Sequence, residues 1–259
     1  MNQPENSPPQ QQPPHGQAGG VARHLGALAL LVPAPTIGVV TALFLLPGTA
    51  IGMTTQMAMK GWILVLPVAW LILIAKTRPR LPAFRGRASH PGWWAGLATG
   101  IAIFAVIVGL WELAGPRLVD TTVFAEKIAS VGLTSPAYYL LFAAGITLFN
   151  ALMEEYVWRW FVYERLRDTL LEWFGQAARK WVVPGAVVLA ALFFTLHHTI
   201  ALSLYFDPLA NFLASLGVFI GGITWSIIYL KTRNIYGCYL SHIFANVAMF
   251  YVGYQIAFG

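Results

Sequence analysis

Long apolar stretches, separated by short polar connections, dominate the chain from residue 23 onward. A helix that crosses a membrane needs about 20 predominantly apolar residues. Seven stretches approach that length, at about 25–48, 57–75, 93–113, 136–156, 182–203, 208–230 and 235–257. The pattern predicts an all-α integral membrane protein, a polytopic bundle of about seven transmembrane helices, or eight if one segment is missed or re-entrant.

Composition supports a membrane protein and excludes several other classes. Of the 259 residues, 58% are hydrophobic and only 10% are charged, whereas about a quarter of the residues of a soluble domain are charged. The single cysteine, Cys238, excludes an internal disulfide. In a membrane protein the net charge of +6 indicates basic cytoplasmic connections, so we expect no nucleic-acid partner.

The chain divides into a short polar tail and one membrane domain. Residues 1–22 are rich in Pro and Gln, a composition that buries too little apolar surface to fold, and we expect a disordered tail. Residues 23–259 form the multi-span domain. The first apolar stretch is too long for the core of a cleavable signal peptide, so we expect it to be retained.

The distribution of Lys and Arg predicts the orientation. With the tail in the cytoplasm, thirteen of the sixteen basic residues lie in cytoplasmic connections, the bias that sets membrane topology. Only Lys60, Arg117 and Lys127 are predicted on the outer side. Seven spans then place the C-terminus outside.

The connection between the fourth and fifth spans, residues 163–181, has apolar residues at helical spacing with charges between them. One interpretation is an amphipathic helix that lies in the cytoplasmic interface. The other is a helical connector that packs on the bundle. The sequence does not separate them.

Two adjacent carboxylates and an arginine end the predicted fourth span. Glu155 and Arg159 are four residues apart, so they can pair on one helix face. Glu154 points about 100° away, which leaves it free to act as a general base on water. The alternative is that both carboxylates are solvated at the interface and that Arg159 only anchors the helix.

Further polar groups lie in the fifth and seventh spans, where ionisable residues are expensive and usually mark a site. His197 and His198 are adjacent, so we expect one of them to meet the site. His242 and Asn246 are one turn apart and can direct two donors at one point, as an oxyanion hole requires. For each group the alternative is a hydrogen bond between helices. Asn150 is expected only to pack between helices.

Together these residues resemble the CPBP family of intramembrane proteases, which includes CAAX prenyl proteases and bacteriocin-processing enzymes. The family motifs are EExxxR, FxxxH and HxxxN. In this chain they read Glu154, Glu155 and Arg159; Phe193 and His197; and His242 and Asn246. The second motif also fits Phe194 and His198, so His198 is the alternative to His197. The resemblance covers about residues 136–250.

The resemblance implies a glutamic-type peptidase without a cofactor. Glu154 and His197 would activate water, and His242 with Asn246 would stabilise the oxyanion. Glu155, Arg159 and Phe193 would be supporting residues. Its substrates would be peptides presented by the lipid bilayer, such as CAAX-like tails, leader peptides or C-terminal sorting signals, and the last suits a prokaryotic cytoplasmic membrane.

Two alternatives remain open at this point. A zinc protease would use Glu154, His197 and His242 as ligands, although no HExxH occurs. A non-catalytic immunity or scaffold protein would retain the same polar residues for packing.

The predicted depths of the site residues in the membrane disagree, because His197 lies about 16 residues, or ~24 Å, into its span while Glu154 and His242 lie near the cytoplasmic ends of theirs.

Overall fold

The structure is a computed structural model that describes residues 17–78 and 91–259. Residues 1–16, which contain most of the predicted tail, lie outside the described residues. So does the segment 79–90, with the predicted cytoplasmic basic residues Arg80, Arg85 and Arg87.

The described part of the chain forms eleven α-helices joined by short turns. In chain order they are α1 (Gln17–Leu31), α2 (Pro33–Val40), α3 (Ala50–Ala69), α4 (Pro91–Leu118), α5 (Thr121–Ser130), α6 (Pro136–Gly145), α7 (Ala151–Glu155), α8 (Glu164–Phe174), α9 (Arg179–Leu202), α10 (Pro208–Thr232) and α11 (Tyr236–Phe258). Four π-helical segments continue these helices, at Thr41–Leu45, Trp70–Ile74, Ile146–Asn150 and Tyr156–Tyr163.

Six helical stretches within the described ranges are long and apolar enough to cross a membrane. They are Gly20–Leu45, Ala50–Ile74, Gly92–Leu118, Pro136–Phe174, Gln176–Leu202 and Pro208–Thr232. The predicted seventh span corresponds to α11, which is 23 residues long. It is not among these six because polar residues such as His242 and Asn246 lower its mean hydropathy. The predicted all-α polytopic membrane bundle is confirmed.

The fourth span is longer than predicted. Instead of ending at residue 156, the helix continues unbroken from Pro136 to Phe174 over 39 residues. Its last part, α8, packs against α1 and α9 and buries Leu166 and Leu171. The amphipathic segment is therefore a helical connector on the bundle, which is the second of the two interpretations.

This extension removes the disagreement in depth between Glu154 and His197. Glu154 lies 21 residues before Gly175, and His197 lies 22 residues after it. The helices before and after Gly175 form a hairpin, so residues equally far from the turn lie side by side, here roughly 32 Å from it. Glu154 is thus in the middle of its helix and not at the end.

The second span is also longer than predicted. It begins at Ala50, because the Thr49 side chain accepts a hydrogen bond from the Gly52 backbone N–H and caps the helix. Lys60, three residues inside the predicted span, therefore lies ten residues inside the observed span and not at its outer end. The observed helix includes seven residues, 50–56, that precede the predicted boundary at 57.

Helices α4 and α11 pack in direct backbone contact and run parallel, as seven alternating spans require. A Cβ on Gly96 would collide with the backbone of Gly237, so glycine is needed at this crossing. One turn further along, the Thr99 hydroxyl donates to the Ser241 hydroxyl at 3.0 Å. This contact fixes α11 one residue from His242.

Candidate functional site

The two adjacent carboxylates lie on α7, a single turn and a half of α-helix between two π-helical segments. Such π-helical segments widen a helix locally and often occur at functional sites. Both carboxylates point into the bundle, since Glu154 is only 7% exposed and Glu155 is fully buried. The alternative in which both carboxylates are solvated at the membrane interface therefore does not hold.

Glu155 is held between a cation and an imidazole. Arg159 Nε donates to Glu155 Oε2 at 3.0 Å, and neither side chain is exposed. The same guanidinium donates to the Ser226 hydroxyl at 3.0 Å. The other oxygen, Glu155 Oε1, lies 2.8 Å from His242 Nδ1. Burial of this carboxylate is thus compensated on both sides.

The contact with Glu155 defines how His242 is protonated. A carboxylate only accepts hydrogen bonds, so Nδ1 carries the hydrogen. Nε2 then faces Glu154, with 3.7 Å between Nε2 and Glu154 Oε2. When His242 is neutral, Nε2 is an acceptor; it donates only in the imidazolium form. The oxyanion role predicted for His242 therefore requires the imidazolium.

Trp225 supports the ring of His242. The two rings are stacked with centroids 4.1 Å apart and planes inclined by 14°, an arrangement that favours an imidazolium through the face of the indole. Trp225 is oriented in turn by its Nε1–H, which donates to the Ser241 hydroxyl at 3.0 Å. Sequence reasoning did not identify Trp225, because an aromatic residue in an apolar span carries no distinguishing signal.

Both histidines of α9 reach the site, contrary to the expectation that only one would. One nitrogen of each ring and a carboxylate oxygen of Glu154 lie within 4.8 Å of one another. His198 Nδ1 is 2.9 Å from the Phe194 carbonyl, four residues earlier, and His197 bonds the Phe193 carbonyl in the same way. The two registers of FxxxH therefore describe two equivalent backbone contacts.

The histidines differ in their surroundings. His197 is buried and stacks on Trp158, with centroids 5.7 Å apart and planes inclined by 9°. His198 is less buried and lies against the Phe194 ring, with centroids 4.5 Å apart. Phe194 also borders His242 and the Arg159 guanidinium, so it forms the apolar centre around which the polar groups are arranged.

Asn246 contributes an unused donor. The residue is 8% exposed, and its Nδ2 has no hydrogen-bond partner among the described residues. A buried amide N–H without a partner costs about 1–3 kcal/mol. This donor lies one helical turn beyond His242, the relation predicted for a pair that binds one developing oxyanion.

Cys238 is excluded as a nucleophile aimed at His242. Its thiol is buried and lies 3.1 Å from the Trp225 carbonyl oxygen, to which it donates. The sulfur is thus engaged with the backbone of α10.

Glu154 has two further neighbours that the sequence analysis did not assign to the site. Asn150 Nδ2 donates to Glu154 Oε1 at 2.7 Å, and Lys60 Nζ donates to Asn150 Oδ1 at 2.6 Å. Asn150 is one turn before Glu154, and that spacing was the available signal. Lys60 was missed because the predicted start of the span at 57 placed it near the outer end of the helix.

Comparison with known proteins matches part of the chain to a family model. The family model Rce1-like, described as type II CAAX prenyl endopeptidase Rce1-like, matches residues 136–248. No curated protein and no solved structure matches the chain significantly. The matched region extends from the start of α6 to Ala248 of α11 and contains all the residues of the three motifs.

Proposed function

We propose that this chain is an intramembrane endopeptidase of the glutamic type, because residues 136–248 match the Rce1-like family model of type II CAAX prenyl endopeptidases. It would hydrolyse a peptide bond near the end of a membrane-presented peptide. The chain is an integral multi-pass membrane protein of a protease family, so its peptide substrates are expected at the bilayer.

One observation carries this proposal. A buried carboxylate, Glu154, lies among three imidazoles and beside a carboxylate that is already neutralised by Arg159. Packing alone does not require a second buried carboxylate next to a complete ion pair, since burial of an unneeded charge costs free energy. A general base that takes a proton from water does require a second carboxylate that is not paired with a cation.

In the proposed reaction Glu154 and His197 bind a water molecule, and Glu154 accepts one of its protons. The resulting hydroxide attacks the scissile carbonyl carbon and forms a tetrahedral oxyanion. Asn246 Nδ2–H and the imidazolium His242 Nε2–H donate to that oxygen. The proton held by Glu154 passes to the amide nitrogen, the C–N bond breaks, and a carboxylic acid and an amine leave; the acid then transfers its proton to the amine, which gives a carboxylate and an ammonium.

The supporting residues have distinct parts in this scheme. Arg159 neutralises Glu155, and Glu155 orients His242 through Nδ1, so the imidazole presents Nε2 to the reacting groups. The backbone carbonyls of Phe193 and Phe194 orient the two histidines of α9. His198 is the alternative to His197 as the water ligand, since both reach Glu154.

A reconstitution assay tests the substrate class. The purified protein in phospholipid vesicles is offered a peptide that ends in a farnesylated cysteine followed by three residues, and the terminal tripeptide is measured by mass spectrometry. We expect release of the tripeptide from the farnesylated peptide and not from vesicles without protein. The same peptide without the farnesyl group shows whether the lipid is required.

Peptides that represent leader sequences and C-terminal sorting signals complete the panel. Cleavage of one of these, with the farnesylated peptide intact, would replace the CAAX substrate but retain the endopeptidase. If the folded protein cleaves none of the peptides, the non-catalytic immunity or scaffold function is favoured instead.

Zinc catalysis is the second candidate, because Glu154, His197 and His198 are grouped as a two-histidine, one-carboxylate set. This set differs from the one expected from sequence, since His198 takes the place of His242. A zinc ion there would polarise water and the carbonyl. Against it, the Lys60 ammonium lies within electrostatic range of both histidines and would repel a divalent cation.

A chelator distinguishes the two mechanisms. We expect the cleavage rate to be unchanged after incubation with 1,10-phenanthroline and removal of the metal complex, because no proposed step uses a metal. Metal content is measured on the same samples. Loss of activity that is restored by added Zn²⁺ would contradict the glutamic mechanism.

A further inference from the structure

Lys60 is half-buried at the edge of the inward face of α3, in the middle of the span. The residues at i−8, i+3 and i+7 from Lys60 are Gly52, Ile63 and Pro67, and all three are buried. Exposed residues such as Ile51 and Val65 occupy the opposite side. A lysine on this stripe is costly and therefore indicates a specific partner.

A simple interfacial role for Lys60 does not fit its position. It lies 10 residues from Ala50 and 14 residues from Ile74, which corresponds to about 15 Å and 21 Å of helix. Lysines that reach the interface along their own side chain lie near helix ends. The Lys60 ammonium instead ends at Asn150 Oδ1.

The two hydrogen bonds that connect Lys60 to Glu154 through Asn150 can run in only one direction. An ammonium only donates hydrogen bonds and a carboxylate only accepts them. Asn150 must therefore turn its oxygen to Lys60 and its NH₂ group to Glu154, as the distances of 2.6 Å and 2.7 Å show. Lys60 and Glu154 together thus fix which way the Asn150 amide faces.

The consequence is a distinction between the two oxygens of Glu154. Oε1 is occupied by Asn150, whereas Oε2 is the oxygen 3.7 Å from His242 Nε2. A carboxylate that rotates freely would present either oxygen in many directions. With Oε1 fixed, Oε2 keeps a defined direction toward the imidazoles.

We infer that Lys60 and Asn150 are a positioning pair, through which α3 fixes Oε1 of Glu154 so that Oε2 is the oxygen that takes the proton from water. The inference rests on the proposed function. It adds α3, which lies outside the matched region, to the parts of the chain that the reaction requires. Lys60 acts through Asn150 and does not touch the reacting atoms.

A double-mutant cycle tests this pair with the farnesylated reporter peptide. Lys60→Met and Asn150→Leu each remove one member, and we expect each to lower kcat by roughly 10- to 100-fold, as misplacement of a reacting group does. KM should stay within about threefold, because substrate binding is not changed. The double variant should be about as slow as either single variant, since the two residues act as one unit.

Two further variants separate positioning from folding. Lys60→Arg retains a cationic donor and should recover most of the kcat lost in Lys60→Met. Lys231→Met removes an exposed lysine at the end of α10 and should leave kcat unchanged. Thermal unfolding of each variant in detergent is measured alongside.

The possible outcomes are distinct. Full activity of Lys60→Met, with an inactive Glu154→Gln, would overturn the positioning pair and leave the proposed function intact. Additive losses in the double variant would also overturn it, because Lys60 would then act independently of Asn150. An active Glu154→Gln would overturn the proposed function together with this inference.

Discussion

Replacement of Glu154 by glutamine is expected to reduce the rate of cleavage by about 10²- to 10⁴-fold, the usual contribution of a positioned general base. Glutamine has the same shape and still offers an oxygen to Asn150 Nδ2, so the hydrogen bond at 2.7 Å can be kept. It has no carboxylate to take a proton from water. The loss should therefore appear in kcat while the fold persists.

The measurement is the initial rate of tripeptide release from the farnesylated reporter in vesicles, with thermal unfolding of the same preparations. Glu126→Gln is the matched control, because Glu126 is an exposed carboxylate on α5. We expect wild-type rates from the control and similar unfolding temperatures from all three proteins. A Glu154→Gln rate within tenfold of wild type would show that another group is the base.

The parts of the site on single helices could be predicted from local spacing. Glu155 and Arg159 are paired as their separation of four residues implies. His242 and Asn246 lie on one face of α11 for the same reason. These relations depend only on the geometry of an α-helix, and the apolar stretches already predict that both segments are helical.

Other parts could not be predicted because they depend on helix ends and on contacts between helices. The continuation of the fourth span to Phe174 places Glu154 in the middle of a helix, and the charged surface of α8 concealed this. His197 and His198 both reach Glu154. Adjacent residues of a helix point about 100° apart, but the position of α9 relative to α7 also determines which side chains come close, and the sequence does not contain it.

The early start of α3 had the largest effect on the site. A shift of the boundary from 57 to Ala50 moves Lys60 from three to ten residues inside the span. Its partner Asn150 is 90 residues away in sequence, so no local pattern relates them. The outer side then has only Arg117 and Lys127 of the three predicted basic residues, which increases the predicted cytoplasmic bias.

Replacement of Arg159 by methionine is expected to have the largest effect on stability. The guanidinium is fully buried, pairs with Glu155 and lies 5.1 Å from the centre of the Phe194 ring. Methionine retains much of the apolar stem but leaves the Glu155 carboxylate without its cation. Removal of one partner of a buried ion pair typically costs about 3–5 kcal/mol, and activity should be lost as His242 loses its fixed orientation.

Denaturant unfolding in detergent micelles, followed by circular dichroism, measures this effect. Arg117→Met, at the exposed end of α4, is the matched control and should change the unfolding free energy little. Equal stability of Arg159→Met and Arg117→Met would show that the buried pair does not stabilise the fold.

A double variant separates the structural from the catalytic part of this pair. In Arg159→Met with Glu155→Leu no uncompensated charge remains at the pair, so we expect much of the lost stability to return. Activity should not return, because His242 Nδ1 no longer has the carboxylate at 2.8 Å that directs Nε2 to Glu154. Recovery of both stability and activity would reduce Glu155 to a packing residue, whereas recovery of stability alone would assign Arg159 to the fold and Glu155 to the orientation of His242.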